Sequence, residues 1–214
     1  MKTLRRQNIA VLVSGSGTNL QALLDAEKAG KLPMGHISLV VSNKKDVYAL
    51  ARAEENGIEA VTLVKRDLGS QEAFEAALQE TLCARHIDLI ILAGFLAILS
   101  ADFTAKWPGR IINIHPSLIP SFCGPGFYGL KVHEAALARG VKVSGATVHY
   151  VNEIPDGGEI ILQKAVAVLP GDTPEKLQKR IMEEAEWLLL PQAAELVCAS
   201  LAGKETEDES HAEL

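Results

Sequence analysis

Short apolar runs alternate with amphipathic segments along the first half of the chain. The runs are rich in Val, Ile and Leu with few polar interruptions, which is typical of strands buried on both faces of a parallel sheet. The segments between them repeat apolar residues at helical spacing, as Leu20, Leu23, Leu24 and Ala29 do in the first. The predicted strands are 8–13, 36–43, 59–64, 88–95 and 110–115, and the predicted helices are 19–29, 47–56 and 70–85.

The pattern changes after residue 116. A loop rich in Pro, Gly and Ser covers 116–130, and a short helix is predicted at 132–139. Residues 142–151 and 159–169 alternate apolar with polar positions, as in an antiparallel pair of strands. Residues 173–197 predict a long helix with Thr173 as N-cap, Pro174 at its first position, and a kink or division at Pro191.

These elements predict an α/β, Rossmann-like fold, with a mostly parallel sheet, helices on both faces, and an antiparallel extension in the C-terminal half. We expect one domain over 1–200, with an N-terminal half at about 8–115 and a C-terminal half at about 116–200. Residues 201–214 are polar and acidic, and we expect a disordered tail there. Sheets of this class bind ligands at the carboxyl ends of their strands, so functional residues should lie in the loops at that edge.

The sequence SGSGTN, residues 14–19, lies between the first predicted strand and helix. Backbone N–H groups and the positive end of the helix dipole attract an anion at such a turn. A dinucleotide fingerprint would need a glycine where Leu20 stands and an acid where Asn43 stands, and no lysine follows Gly17 to make a nucleotide phosphate loop. One phosphate monoester suits the loop better than a pyrophosphate, and a tight turn without a ligand is the alternative.

Asn113 and His115 end the fifth predicted strand with the same parity, so both side chains should point to one face at the ligand-binding edge. An amide beside an imidazole can hold a developing oxyanion, and the imidazole can transfer protons. Asp156 offers a carboxylate that would raise the pKa of His115 and favour its protonated form. Gly157 and Gly158 would allow unusual backbone angles around it. A core histidine, a capping asparagine and an ordinary hairpin turn are the structural alternatives.

Composition and charge restrict the partners of the protein. The net charge is −6, which opposes binding to nucleic acid or to an anionic membrane, whereas small anions need only a local positive site. The apolar run 9–13 is too short for a signal peptide, and no run reaches transmembrane length, so we expect a cytoplasmic protein. We expect a monomer or homodimer that binds small-molecule substrates.

The cysteines and the remaining histidines suggest neither disulfides nor a metal. Cys83, Cys123 and Cys198 are odd in number and widely spaced, as free thiols in a reducing compartment are, with a reactive Cys123 as the alternative. His133 and His149 belong to no His-x-x-x-His or Cys–His set, so we expect no metal.

Six motifs occur in an order and at spacings that match a known family: VLVSGSGTNLQAL, VVSNKKDVYAL, LAGFLAILS, INIHPSLIP, SGATVHYV and PDGG. Over about residues 8–197 the chain resembles the phosphoribosylglycinamide formyltransferases, which belong to the folate-dependent formyltransferase superfamily. The resemblance implies transfer of a formyl group from 10-formyltetrahydrofolate, as cosubstrate, to the glycine amine of 5-phosphoribosylglycinamide in de novo purine biosynthesis. It implies no metal.

The resemblance also implies roles for individual residues. The catalytic residues would be Asn113 and His115, which donate to the oxyanion, and Asp156, which assists proton transfer. The ribonucleotide would be held by Gly17, Thr18, Asn19, Arg110 and Glu186, with the glycine loop and Arg110 at the phosphate and Glu186 at the ribose. The folate would be held by Phe95, Leu96, Ala97, Ile98, Leu99, Asn113, Val151, Asn152 and Asp156.

The chain departs from the family in several places. Ala97 stands where relatives often carry a basic residue, so a charge contact to the folate is absent there. The helix around Glu186 carries one extra residue. The loop 121–133 is longer than in some relatives, and Pro125 is unusual in its glycine-rich run.

Three other functions compete with this interpretation. A formyltetrahydrofolate deformylase would use the same trio with water as acceptor, and would usually carry an extra N-terminal domain. A methionyl-tRNA formyltransferase would need a C-terminal domain and a basic surface. A non-catalytic nucleotide-binding module would explain residues 14–19 but would leave Asn113, His115 and Asp156 without a role.

Overall fold

The computed structural model describes the backbone from Arg5 to Ala212 and the side chains up to Lys204. Seven strands form one sheet in the order β3-β2-β1-β4-β5-β6-β7. Strands β1 to β5 pair in parallel, whereas β6 pairs antiparallel with both β5 and β7. This topology confirms the predicted fold class. The strands are β1 Gln7–Val13, β2 Gly35–Ser42, β3 Glu59–Thr62, β4 Leu89–Leu92, β5 Ile111–His115, β6 Val143–Tyr150 and β7 Ile160–Ala167.

Eight α-helices occur in the described part of the chain. Two short ones, α3 and α5, were not predicted, because a single turn is too short to show helical periodicity. Ser70 caps α4 by accepting from the N–H of Ala73 at 3.0 Å, and Thr173 caps α7 as predicted. The helices are α1 Thr18–Lys28, α2 Tyr48–Glu55, α3 Lys65–Leu68, α4 Gln71–Cys83, α5 Ala101–Thr104, α6 Leu130–Arg139, α7 Pro174–Ile181 and α8 Trp187–Ala212.

The sheet is buried on both faces, which is why its central strands are continuously apolar. On one face, residues such as Val11 and Ile114 pack against α1, α2, α6, α7 and α8. On the other face, Leu12 and Ile111 pack against α4 and the α5 region. Each fully buried side chain of this size stabilises the fold by roughly 1.5–3 kcal/mol. Because helices cover both faces of the sheet, a ligand can reach it only at the loops beyond the strand ends.

The C-terminal helical segment is interrupted earlier than predicted. A π turn, Met182–Glu186, separates α7 from α8, and Pro191 lies inside α8 without dividing it. Pro191 has no N–H, so the helical hydrogen bond to the carbonyl of Trp187 cannot form. The π turn ends at Glu186, directly before Trp187. A π turn accommodates one residue more than an α turn.

The helix α8 continues to Ala212, into the segment where the sequence predicts a disordered tail from 201 to 214. Leu201 and Ala202 are buried in the described structure, so packing continues past the expected boundary at residue 200. Residues 213–214 and the side chains after Lys204 lie outside the described residues. Between Arg5 and Ala212, no helix combines the length and the apolar character needed to cross a bilayer.

Candidate active site

The strand register brings polar side chains together at the carboxyl edge of the sheet. Asn113 of β5 pairs with Leu92 of β4 on one side and with His149 of β6 on the other. Directly paired residues point to the same face, so Asn113 and His149 lie side by side. His115, two residues after Asn113, pairs with Thr147 and points to that face as well.

His149 orients the side-chain amide of Asn113. A carbonyl oxygen can only accept, so Nδ1–H of His149 donates to the carbonyl of Tyr150 at 2.7 Å. In the neutral ring Nε2 is then an acceptor, and it lies 3.1 Å from Nδ2 of Asn113. The amide carries two N–H donors, and this contact uses one of them. The other remains available for a substrate oxygen.

The carboxylate of Asp156 lies between two imidazoles. Its Oδ2 is 3.6 Å from Nδ1 of His115, and its Oδ1 is 3.6 Å from Nε2 of His149. The N–H of Gly124 donates to Oδ2 at 2.8 Å. Burial alone would raise the pKa of Asp156, but the contacts with His149, His115 and Gly124 outweigh it and hold that pKa below its ordinary value. Asp156 is therefore ionised at neutral pH.

His115 is 4% exposed, and burial decides its charge. Burial lowers the pKa of His115; Asp156 and the Phe122 carbonyl act in the opposite direction without restoring the ordinary value. The expectation of a raised pKa and a protonated ring is therefore wrong for the free protein. Nε2–H of His115 donates to the carbonyl of Phe122 at 2.9 Å, and Nδ1 lies 3.6 Å from Oδ2 of Asp156.

The turn around Asp156 corrects a second expectation. Neither Gly157 nor Gly158 adopts a positive φ; Asp156 itself does, at 56°. A Cβ on Gly158 would lie 1.8 Å from the carbonyl oxygen of Tyr150, and one on Gly157 would lie 2.6 Å from Cγ2 of Ile154. The glycines thus permit close packing beneath the turn, while the left-handed conformation of Asp156 aims the carboxylate at the histidines.

The glycine loop reaches the same edge of the sheet after β1. Gly17 has φ 73° and immediately precedes α1, so the first N–H groups of that helix face outward at the loop. Nδ2 of Asn19 donates to Oε2 of Glu186 at 2.6 Å, which joins α1 to the π turn. Burial raises the pKa of Glu186 to about 7, against the lowering effect of the Asn19 hydrogen bond.

Arg110 is not brought to the glycine loop. It precedes β5 at the amino edge of the sheet, where its carbonyl accepts from the N–H of Ile90. His115 lies five residues further along the extended chain, a separation of roughly 16 Å. Because β1 and β5 are parallel strands of one sheet, the loop after β1 lies at the other edge from Arg110. The predicted contact of Arg110 with the phosphate is therefore corrected.

The segments predicted to hold the folate flank the face of Asn113. Phe95 and Val151 pack against the same core cluster, which includes Ile111 on that face. The predicted segment Phe95–Leu99 divides into two parts: Leu96 and Ile98 are 53% and 70% exposed, whereas Leu99 belongs to the core.

Asn152 and Ala97 belong to the two segments predicted to hold the folate. The Asn152 side chain is used inside the turn, where its Oδ1 accepts from the N–H of Ile154 at 2.9 Å. Ala97 has neither charge nor a polar side-chain group.

Ser14 connects the glycine loop with the segment after β4. Its hydroxyl donates to Oδ1 of Asn43 at 2.7 Å and accepts from the N–H of Leu96 at 2.8 Å. Asn43, which stands where a dinucleotide fingerprint has an acid, thus accepts a hydrogen bond from Ser14. The two predicted substrate subsites share one hydroxyl.

His149 is the site residue whose role the sequence analysis missed. The alternation in SGATVHYV shows which face His149 occupies, but its pairing with Asn113 depends on a register between strands that are far apart in sequence.

All three cysteines are free thiols. Burial and the nearby Asp156 raise the pKa of Cys123, so that thiol stays protonated. Over the described residues, no three His, Cys, Asp or Glu side chains are grouped as metal ligands.

The sequence profile of the family described as Formyl transferase matches residues 7–193. The chain therefore belongs to the formyl transferase family. Within that family, a phosphoribosylglycinamide formyltransferase from Haemophilus influenzae is 39% identical over 185 residues, covering 86% of this chain and 84% of that protein. The crystal structure of glycinamide ribonucleotide transformylase 1 from Symbiobacterium toebii matches with a TM-score of 0.85 at 44% identity, covering 91% of this chain and 89% of that one.

Longer proteins match as well. The trifunctional purine biosynthetic protein adenosine-3 of Drosophila melanogaster is 44% identical over 188 residues, covering 87% of this chain. The chain spans only 14% of that relative, and 14–19% of the trifunctional relatives from six animals.

Proposed function

We propose that the protein transfers the formyl group of 10-formyltetrahydrofolate to the glycine amine of 5-phosphoribosylglycinamide, a step of purine biosynthesis. The observation that supports this most is the position of two sites on one sheet edge. Strand β1, which leads to the glycine loop, and β5, which ends in the amide and imidazole, are separated only by β4. At 4.8 Å per strand they lie about 10 Å apart, a span that suits a phosphate at one site and a reactive amine at the other.

The ribonucleotide would bind at the start of α1. The backbone of Gly17 and Thr18 offers N–H groups to a phosphate monoester, where the helix dipole also favours negative charge. The hydrogen-bonded pair of Asn19 and the buried Glu186 lies beside it and has the donors and acceptors that a ribose diol needs. With a pKa of about 7, Glu186 can act as acceptor or, when protonated, as donor.

The formyl donor would lie against the face of Asn113, between the segment 95–98 and the turn 151–156. The exposed Leu96 and Ile98 offer apolar contact to its ring system. The partly buried Phe95 and Val151 pack against the core beneath the two segments. The Asp156 carboxylate at the tip of the turn is the charged group of this subsite.

The reaction needs an oxyanion site and a route for one proton. The amine attacks the formyl carbon, and the carbonyl oxygen becomes an oxyanion that accepts hydrogen bonds from Asn113 Nδ2–H and from the N–H of His115. Losing one such donor costs about 3 kcal/mol of transition-state stabilisation. The bond from carbon to the folate nitrogen then breaks, and that nitrogen takes up the proton that the amine has lost. Asp156, ionised in the free protein, would accept this proton through a water and pass it on.

A neutral His115 can still perform this role. Its Nε2–H donates to Phe122 in the free protein and would exchange that carbonyl for the substrate oxygen. Negative charge on the oxygen would raise the pKa of His115 during the reaction, because a nearby opposite charge favours the protonated ring. Asp156 at 3.6 Å adds to this effect.

The test is a formyl-transfer assay with His115→Ala, run beside a control without the amine substrate. We expect turnover to fall at least about 100-fold, since one oxyanion donor is worth that much, while thermal unfolding stays cooperative. His36→Ala is the matched control, because His36 is half exposed and pairs with Glu27 at the amino edge of β2. Intact turnover in His115→Ala would remove the residue from the mechanism, and hydrolysis without transfer would indicate a deformylase.

A further inference from the structure

The backbone of the glycine loop is held from outside by α2. The carbonyl of Gly15 accepts from the N–H of Ala49 at 3.2 Å, and the carbonyl of Ser16 accepts from Nε of Arg52 at 2.9 Å. The carbonyl of Gly17 accepts from the N–H of Gln21 at 2.9 Å in the first turn of α1. Three successive carbonyls of the loop therefore have fixed directions.

These carbonyl bonds also fix the directions of the N–H groups. In a trans peptide the C=O and the following N–H point in opposite directions. The N–H groups of Ser16 and Gly17 therefore point away from α2, and the N–H of Thr18 points away from the turn of α1 that holds the carbonyl of Gly17. In the described part of the chain, none of these three N–H groups has a hydrogen-bond acceptor. Successive N–H groups turned to one side form a concave anion site.

Arg52 is built into this arrangement by several contacts. Its Nη1 donates to Oε1 of Gln21 at 2.8 Å, and its guanidinium lies 4.7 Å from the ring centroid of Tyr48. Among the described residues no carboxylate forms an ion pair with it, in contrast to Arg85 and Arg180. A positive charge without a protein counter-ion thus lies at the back of the loop.

The contact between α2 and the loop is close enough to exclude a side chain. A Cβ on Gly17 would lie 2.7 Å from Cβ of Ala49 and 3.4 Å from Cδ of Arg52. A Cβ on Gly15 would meet nothing within 4 Å. The glycine at position 17 is therefore required by α2 as well as by its positive φ.

We propose that Arg52 is a positioning residue of the phosphate site: it holds the Ser16 peptide so that the loop N–H groups face the phosphate monoester, and it supplies positive charge behind them. This rests on the proposed function for the identity of the substrate. Arg52 takes the place that the sequence analysis gave to Arg110.

Inorganic phosphate is the probe, titrated at constant ionic strength and followed by the amide resonances of Gly17 and Thr18. We expect Arg52→Gln to weaken phosphate binding by about tenfold or more, the usual loss for a charge-assisted hydrogen-bonding group. Arg52→Lys keeps the charge but not the forked contact, so it should fall between wild type and Arg52→Gln. Arg66→Gln removes an arginine whose side chain is 91% exposed, and should bind phosphate as the wild type does.

Steady-state kinetics separate positioning from a general loss of structure. In Arg52→Gln the KM for phosphoribosylglycinamide should rise about tenfold while kcat at saturation and the KM for the folate change little. The riboside without phosphate should react equally poorly with wild type and variant. Equal losses with both amine substrates, or unchanged phosphate affinity in Arg52→Gln, would overturn the proposal.

A second variant tests the same claim if Arg52→Gln does not fold. Gln21→Ala removes the acceptor of Nη1 and leaves the charge, so it should weaken phosphate binding by less than the loss of Arg52 but measurably. Unchanged affinity in Gln21→Ala would contradict the positioning role. The phosphate titration does not depend on turnover, so absence of formyl transfer in the wild type would refute the proposed function without deciding the role of Arg52.

Discussion

At the scale of single residues, burial and charge compete at His115. The sequence places a carboxylate near the ring, and a carboxylate alone would raise its pKa. The structure shows that the ring is almost fully buried and that Asp156 lies beyond hydrogen-bonding distance, at 3.6 Å. Burial therefore has the larger effect, and the ring is neutral in the free protein. A sequence can indicate which groups come together, but not how far their site is buried from solvent.

This balance predicts the titration of His115. By NMR, its pKa should lie below the ordinary value of 6.5, and Asp156→Asn should lower it further, because Asp156 is the main group that raises it. The asparagine oxygen can still accept from Gly124, so the turn should keep its shape. His36, exposed and outside the site, serves as an internal control in the same spectra. A pKa above 6.5 in the wild type would contradict the assignment of a neutral ring.

At the scale of elements, the periodicity of the sequence predicted the strands and long helices well, because each long element repeats its apolar positions several times. The helices α3 and α5 were missed because four residues contain too few repeats. The break in the last helix was expected at Pro191 but occurs at the π turn, since proline tells only that one hydrogen bond is lost. The phosphate role of Arg110 came from the family resemblance, although the predicted strand 110–115 already put that residue at the amino end.

The turn that carries Asp156 gives a prediction at this scale. Gly158→Ala should destabilise the protein by about 2 kcal/mol and reduce turnover, because the added Cβ would meet the backbone carbonyl of Tyr150 and displace the turn. Gly203→Ala is the matched control: an added Cβ there meets nothing within 4 Å and lies in a helix, where alanine is preferred. Urea unfolding and turnover measure the two effects. Equal stability of both variants would show that the close approach at Gly158 is unimportant.

At the scale of the whole molecule, two buried titratable groups give opposite dependences of stability on pH. His133 is fully buried with no hydrogen-bond partner for either ring nitrogen, and burial lowers its pKa to about 4. Below pH 6.5 the ring takes up a proton in the unfolded chain but stays neutral in the folded one. The free energy of unfolding therefore falls as the pH falls from 6.5 toward 4. The carboxyl of Glu186 has a raised pKa of about 7, so it keeps its proton longer in the folded chain than in the unfolded one. The free energy of unfolding therefore falls as the pH rises from 4.5 through 7.

In the wild type the two dependences partly cancel, and single variants should reveal each one. His133→Leu should remove the loss of stability toward pH 4, which amounts to about 3 kcal/mol. Glu186→Gln should be more stable than the wild type at pH 8 by a similar order and equally stable at pH 4, while its KM for the ribonucleotide rises. Unfolding free energies measured from pH 4 to 8 decide this. Parallel curves for wild type and both variants would contradict the assigned pKa values.

The central claim is that this sheet edge moves a formyl carbon from a folate nitrogen to an amine. The most direct measurement uses 10-formyltetrahydrofolate labelled with ¹³C in the formyl group, mixed with phosphoribosylglycinamide and enzyme and followed by ¹³C NMR. We predict that the label appears as a formamide on the ribonucleotide at the rate of folate release, and that Asn113→Ala slows this appearance at least about 100-fold. Label that appears only as free formate, or that moves equally fast in Asn113→Ala, would contradict the account.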